Sequence, residues 1–330
     1  MSCHLHDPHG ILSHEHVNVI YAGSIQLADT EGWDLRKRLI CFEDGKQTDR
    51  HLTAYVDFPP MFTILDSGAF SAWTKGKAID LEAYVDFIIK HGDVINVAAN
   101  LDVIPGQKGR QITEEENRLA PEQGWDNYQK IQRLLIKKQR GDLITRVMPI
   151  HHQGESLDIL KRMLDEGCTY IGISPSNDAT TRQRQKYLDI VFGHLESQSK
   201  RILTHGYAVT SEVLMQSYPW FTVDSITWIY VAGFGVIKTP MGSFTFSEDP
   251  RSLKSKDNLR VVIDENGEWS IMNAHYQHAK EDLDRYVREE LMMDVMFLAQ
   301  DYWARARANM LYFDWFEKTA AGKKRMHYDG

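Results

Sequence analysis

The sequence predicts an α/β protein built as a (β/α)8 TIM barrel with a C-terminal β-hairpin and helical extension. Short apolar runs alternate with longer amphipathic ones from residue 17 to about 240, the pattern of a parallel sheet wrapped by helices. Asp66, Asp102, Gln153, Ser174, His205 and Asp224 stand at or just beyond the C-terminal ends of successive apolar runs, where a barrel exposes its reactive groups. The glycine-rich GxGxxG turn that opens a doubly wound sheet does not follow the first run.

Taken in order, the expected strands are 17–22, 61–65, 94–101, 145–150, 170–174, 201–204 and 221–223, with an eighth near 229–232. Helices are expected at 81–91, 126–139, 157–166, 183–194 and 211–217. The second of these carries Tyr128, Ile131, Leu134 and Leu135 at the spacing of one buried face. After Thr239 the pattern changes. Residues 243–246, 259–263 and 268–272 read as antiparallel strands, the last two joined at Asn266-Gly267, a turn that tolerates positive φ. A helical region then runs over 274–317, its methionines and aromatics suited to packing. The domain organisation is therefore a barrel over 1–240 and an appendage over 241–330.

At 330 residues the chain is long enough for one large domain or two, and 42% hydrophobic with 25% charged residues is ordinary globular composition. A net charge of -8 argues against a protein that coats nucleic acid by charge alone. Basic clusters at 36–38, 130–140, 182–186 and 323–325 read first as solvated faces. Cys3, Cys41 and Cys168 form no CxxC pair, which points to a reducing compartment. No apolar run approaches the roughly 20 residues of a membrane helix. The expectation is a cytoplasmic protein with no membrane partner. His4, His6, His9, His14 and His16 leave a metal-dependent hydrolase open as one reading, although His14-Glu15-His16 precedes the first strand rather than following it.

The stretch 64–73, Ile-Leu-Asp-Ser-Gly-Ala-Phe-Ser-Ala-Trp, has the form of a buried strand surfacing at a site: Asp66 at the rim, Ser67 and Gly68 leaving room for a ligand, Phe70 and Trp73 as flat walls. It recurs with Asn100-Leu101-Asp102, His152-Gln153-Gly154, Tyr170-Ile171-Gly172-Ile173-Ser174, His205-Gly206-Tyr207-Ala208-Val209-Thr210 and Val223-Asp224-Ser225. This ordered set, covering about 60–235, resembles the tRNA-guanine transglycosylase superfamily, and within it the DpdA branch of phage and bacteria, which exchanges guanine in DNA for a 7-deazaguanine base.

The resemblance implies a pentosyltransferase that needs two acids, a nucleophile beneath the sugar and a proton donor for the leaving base. By place in the motif order, Asp224 matches the nucleophile and Asp66 the general acid/base. Asp102 and Gln153 match the groups that bind the base, with Gly154 and Gly172 allowing close approach and Ser174 and Phe70 bordering it. His205 and Gly206 are candidates for sugar or phosphate contact, as are Arg182, Arg184 and Lys186 for the DNA backbone. Asp102 also fits a turn former before Pro105, Asp224 a helix cap, and His205 a satisfied histidine at the barrel rim.

Two departures stand out. No cysteine lies beyond Cys168, so the structural zinc of the tRNA enzymes is not expected, and Ile173-Ser174 replaces their base-contacting glycine pair. The implied partners are DNA and a free 7-deazaguanine base, with no cofactor. A tRNA-acting relative and a catalytically inactive nucleic-acid-binding barrel are the alternatives.

Overall fold

The structure, a computed structural model, describes residues 2–23, 36–57, 61–106, 113–246, 259–272 and 277–319. The basic cluster at 323–325 and the expected helix start at 274–276 lie outside the described residues. Two compact units divide the chain, Met1–Ser225 and Ile226–Ala321.

The first unit contains strands β1 (Asn18–Ala22), β2 (Lys37–Cys41), β3 (Phe62–Asp66), β4 (Val97–Ala99), β5 (Val147–Met148), β6 (Ile150–His152), β7 (Tyr170–Ser174), β8 (Leu203–Gly206) and β9 (Thr222–Ser225), in one sheet ordered β5-β4-β3-β2-β1-β9-β8-β7-β6. All of these pairs are parallel. β5 and β6 are two halves of one barrel position, interrupted at Pro149, which has no N–H to give the ladder. Its carbonyl still accepts from Gly172 N at 2.9 Å, so eight positions close the ring.

The registers fix the barrel's geometry. Ala22 pairs with Leu39, Leu39 with Ile64 and Ile64 with Val97; carried on through β5 to β9, the path returns to the first strand's line at residue 14, eight residues below its start. A shear of eight for eight strands is the TIM-barrel solution, with strands tilted about 36°. The same walk identifies the inward-facing set, because residues in register share a face. It includes Ile20, Leu39, Ile64, Val97, Ile150, Gly172, His205 and Thr222, and toward the C-terminal mouth Cys41, Asp66, His152, Ser174 and Asp224.

Helices α1 (Lys46–Tyr55), α2 (Ala69–Thr74), α3 (Leu81–Lys90), α4 (Glu114–Lys137), α5 (Leu157–Asp165), α6 (Thr181–Glu196) and α7 (Glu212–Ser217) run between the strands. Asp80 caps α3, and the boxes Thr113/Glu116 and Thr180/Gln183 start α4 and α6 by satisfying otherwise unpaired N–H groups. α4 begins well before the expected residue 126, because the Thr113 cap lies upstream of the apolar periodicity.

The eighth strand expected near 229–232 is a correction: these residues lie in α8 (Thr227–Gly233). The position it was to fill belongs to β2, whose Lys-Arg-Leu-Ile-Cys sequence reads as part of a basic cluster. Arg38 is in fact 2% exposed, its Nη2 bound to Gly23 O at 2.7 Å, and burial lowers its pKa.

The second unit holds α8 and a sheet of β10 (Val236–Thr239), β11 (Gly242–Thr245), β12 (Leu259–Ile263) and β13 (Trp269–Ile271) in that order. The chain divides after Ser225 rather than after 240, because β10 pairs antiparallel with β11 and α8 packs on the last helix. β12 and β13 form the expected hairpin, with Gly267 at φ 81° and Asp264 Oδ1 accepting from Asn266 N and Glu268 N at 2.9 Å each. β11 and β12 pair parallel, not antiparallel as expected.

Helices α9 (Gln277–Arg285), α10 (Val295–Gln300) and α11 (Tyr302–Lys318) complete this unit, with Leu283, Val287 and Leu298 in one core with Ile237 and Phe244. The fully buried Asn309 of α11 joins three segments: it accepts from Lys238 N at 2.6 Å and donates to Trp228 O at 3.0 Å and Val236 O at 3.1 Å. Asn309→Ala leaves these backbone groups unpaired in the core. It is expected to cost about 2–4 kcal/mol, read as a fall in the urea midpoint and faster hydrogen exchange across 226–246.

Candidate active site

The C-terminal mouth of the barrel collects the polar groups. Along β3, Phe62, Thr63, Ile64 and Leu65 are fully buried, and the strand then surfaces at Asp66. Asp66 Oδ2 accepts from Gly68 N at 3.1 Å in the turn that starts α2. Gly68 sits at φ 79°, and a Cβ there would come within 2.6 Å of Glu43 Cβ and 2.8 Å of Cys41 Sγ. Its missing side chain therefore serves the turn and its own packing, rather than leaving room for a ligand. Burial, then the charge of Asp102 and more weakly that of Asp224, push the Asp66 carboxyl up to about 7, against the opposing effects of Gly68 N–H and Cys41.

Asp102 follows β4 in a loop and is held from two sides. His152 Nε2 lies 2.9 Å from its Oδ2, and Ser67 Oγ donates to its Oδ1 at 3.5 Å. Burial alone would lower the His152 pKa; the bond to Asp102 and the charges of Asp102 and Glu155 outweigh it and raise the pKa. Glu155 accepts from His152 N at 3.0 Å and is itself raised by burial. Asn100 Nδ2 ties the end of β4 to Gly124 O at 2.9 Å, so this corner is anchored to α4.

Gln153 turns away from the axis. It comes one residue after inward-facing His152, and strand alternation sends its side chain to the loop after β7, where Oε1 accepts from Ser176 N at 3.0 Å. Gly154 has φ 104°, and a Cβ there would meet nothing, so it is the backbone conformation that requires glycine. Gly172 does face the axis, but its space is occupied: a Cβ would lie 2.7 Å from the Tyr207 ring. Ser174 pairs in register with His152 at the rim. Gly206 faces outward, its bare Cα packed against Val209 and Trp220, so it is a packing residue.

Asp224 is 8% exposed, and its Oδ1 accepts from Ala208 N at 2.7 Å. Ala208 holds φ 50°, a left-handed conformation costly for a residue with a Cβ. His205 is fully buried beneath the T-shaped Tyr207 ring, with centroids 4.6 Å apart. It is therefore not placed to touch a phosphate. The Tyr207 hydroxyl is buried with no partner, and its pKa is raised by burial and by the charges of Asp66, Asp102 and Asp224 together.

Phe70 on α2 is 59% exposed and stacked on Trp73 at 6.0 Å, while Trp73 Nε1 donates to Gly106 O at 2.9 Å. Arg182 and Lys186 are exposed at the start of α6. Arg184 is committed to the preceding loop, donating from Nε to Ser176 O at 2.9 Å and from Nη2 to Asn177 O at 2.8 Å.

The mouth thus brings together Asp66, Asp102 and Asp224, with His152, His205 and Tyr207. The last three have no role in the sequence reading beyond the contact assigned to His205. The signal that finds His152 is parity, two residues beyond Ile150 on the inward face. Tyr207 is identifiable only once Gly172 is seen to make room for it.

Of the N-terminal histidines, His4 hydrogen-bonds Thr169 Oγ1 at 2.7 Å, His14 meets Phe221 in a tilted ring contact at 5.1 Å, and His16 Nδ1 bonds Val17 O at 2.9 Å. Thr169, Phe221 and Val17 precede β7, β9 and β1, so these side chains lie at the end of the barrel opposite the carboxylates. Among the described residues no three His, Cys, Asp or Glu side chains gather as a metal site. Among the same residues no helix is long and apolar enough to cross a membrane.

No family model and no curated protein matches the chain. Among solved structures, a protein described as a fructose-1,6-biphosphate aldolase from Coccidioides immitis aligns over 92% of this chain and 90% of its own, with a TM-score of 0.43 and 7% identity.

The raised Asp66 pKa has a consequence for stability. A carboxyl held neutral by the fold favours the folded state fully below its unfolded value, near 4, and that contribution is lost as pH rises through about 7. Asp66→Asn is therefore expected to raise the melting temperature at pH 8 with little change at pH 4; an equal shift at both would contradict the raised pKa.

Proposed function

We propose that this barrel is a DNA base-exchange transglycosylase, replacing guanine with a 7-deazaguanine base through a covalent aspartyl-sugar intermediate. The observation that carries the reading is the convergence of three carboxylates on one barrel mouth, one of them pushed up to about 7 and so able to hold a proton at neutral pH. Two acids of different protonation state are what retention of configuration at a glycosidic carbon requires.

In this reading Asp224 attacks C1′ as the C1′–N9 bond breaks, and Asp66 gives its proton to the departing guanine. The deazaguanine then enters the vacated space and loses a proton to Asp66. Its ring nitrogen displaces Asp224 from C1′ to complete the exchange. Asp102, steadied by His152 and Ser67, is suited to accept from the adjacent N–H donors of a guanine-type edge. Phe70 offers a flat wall to the ring. Because C1′ is not reachable within a stacked duplex, the target nucleotide is extruded, and the exposed Arg182 and Lys186 hold phosphates without reading sequence.

The test is mass spectrometry of nucleosides from DNA incubated with the protein and candidate free bases, with matched tRNA as the second substrate. Asp224→Asn and Asp66→Asn are each expected to lower exchange by 10²-fold or more while retaining DNA binding. Exchange undiminished in Asp224→Asn would overturn the reading. Arg182→Glu with Lys186→Glu is expected to weaken DNA binding and flatten its salt dependence.

A further inference from the structure

The interior of the barrel below Asp224 carries a line of buried polar groups that base exchange does not by itself call for. Tyr170 Oη lies 2.6 Å from Thr222 Oγ1, and Thr222 Oγ1 lies 2.8 Å from His205 Nδ1. The other imidazole nitrogen, Nε2, is buried without a hydrogen-bond partner, and the nearest charged atom to it is Asp224 Oδ1 at 3.5 Å. All three side chains are at most 1% exposed, on neighbouring strands with His205 in register with Thr222.

The direction of the protons follows from counting donors. Tyr170 and Thr222 each own one hydroxyl hydrogen. If Tyr170 donates to Thr222 and Thr222 to Nδ1, both hydroxyl hydrogens and Nδ1 are satisfied and the ring's own N–H is on Nε2, 3.5 Å from the carboxylate oxygen. In the reverse direction the Tyr170 hydrogen has no acceptor in this chain of groups, and a lone pair on Nε2 faces a carboxylate oxygen inside the barrel. The second arrangement carries an unmade bond and an electrostatic repulsion at low dielectric.

We propose that the Tyr170–Thr222–His205 chain is a positioning device for Asp224: it fixes the His205 Nε2–H tautomer, which with Ala208 N–H anchors Oδ1 and leaves Oδ2 as the attacking oxygen. Both nitrogens approach the same oxygen: Ala208 N hydrogen-bonds it at 2.7 Å, and His205 Nε2 lies 3.5 Å away. The longer contact is of the kind that tightens when a reactive complex forms. Ala208 keeps its left-handed backbone at φ 50° because that conformation turns its N–H onto the carboxylate. In the covalent step, the Oδ2 lone pair forms the bond to C1′, the C1′–N9 pair leaves with the base, and the proton on the base comes from Asp66. Oδ1 becomes the ester carbonyl oxygen, still held by its two donors.

The role assigned to Oδ2 rests on the transglycosylase reading; the tautomer does not, and the two are tested apart. Nitrogen-15 NMR of histidine-labelled protein, without substrate, is expected to show His205 with its proton on Nε2. Thr222→Val should shift the proton toward Nδ1, and Asp224→Asn should move the Nε2 resonance. A wild-type protein with an unprotonated Nε2 overturns the proposal whatever the enzyme does.

In exchange assays, Thr222→Val and His205→Phe are expected to lower kcat about 10- to 100-fold with KM little changed. Thr222→Ser should restore it, and His205→Gln, whose amide can still donate, should recover part. Full activity in a folded His205→Phe overturns the positioning role. If the wild-type protein exchanges no base on DNA or RNA, the transglycosylase reading fails while the NMR result stands.

Discussion

Three carboxylates share one desolvated barrel mouth, and the repulsion among them is the constraint around which the rest of the site is arranged. Burial and the charges of Asp102 and Asp224 penalise ionisation of Asp66. The structure meets this with three separate devices. Asp66 is raised to about 7 and can stay neutral near physiological pH. Asp102 is paired with His152, and Asp224 takes a backbone N–H from Ala208 and faces a buried imidazole. The three side chains are chemically identical, and what distinguishes them is the set of groups each one meets.

That arrangement depends on register. A shear of eight sends alternate residues of every strand to the axis, so Cys41, Asp66, His152, Ser174 and Asp224 reach one rim from positions far apart in the chain. A slip of one residue in β6 would exchange His152 for Gln153 and remove the partner of Asp102. The break at Pro149 falls inside this barrel position, yet its carbonyl still bonds Gly172 N at 2.9 Å, and the register is kept across the gap.

Two unusual backbone positions lie at the same end. Gly68 has a positive φ and two neighbouring side chains that exclude a Cβ, and Ala208 holds a left-handed backbone without being glycine. Gly172 gives its space to the Tyr207 ring, which roofs His205 and places a buried phenol within the field of all three carboxylates. The surrounding layers of packed side chains hold these conformations in place, as is usual where geometry serves a site.

The barrel, most of its strands, the β12–β13 hairpin and the three aspartates at strand ends were legible in the linear pattern, because period-two runs and turn residues act over a few neighbours. Lys37–Cys41 escaped because a buried Arg38 looks like surface charge until tertiary packing covers it, and 229–232 misled because an apolar run of that length suits a buried helix as well as a strand. Gln153 and Gly206 show the same limit at the site: their motif was visible but the face each presents was not, since facing depends on the register with the next strand. The sequence by itself determined which residue types stand at the ends of the strands. Only the tertiary structure decided which of them meet, because burial, pairing with His152 and His205, and the mutual field of the carboxylates arise from contacts between residues distant in the chain.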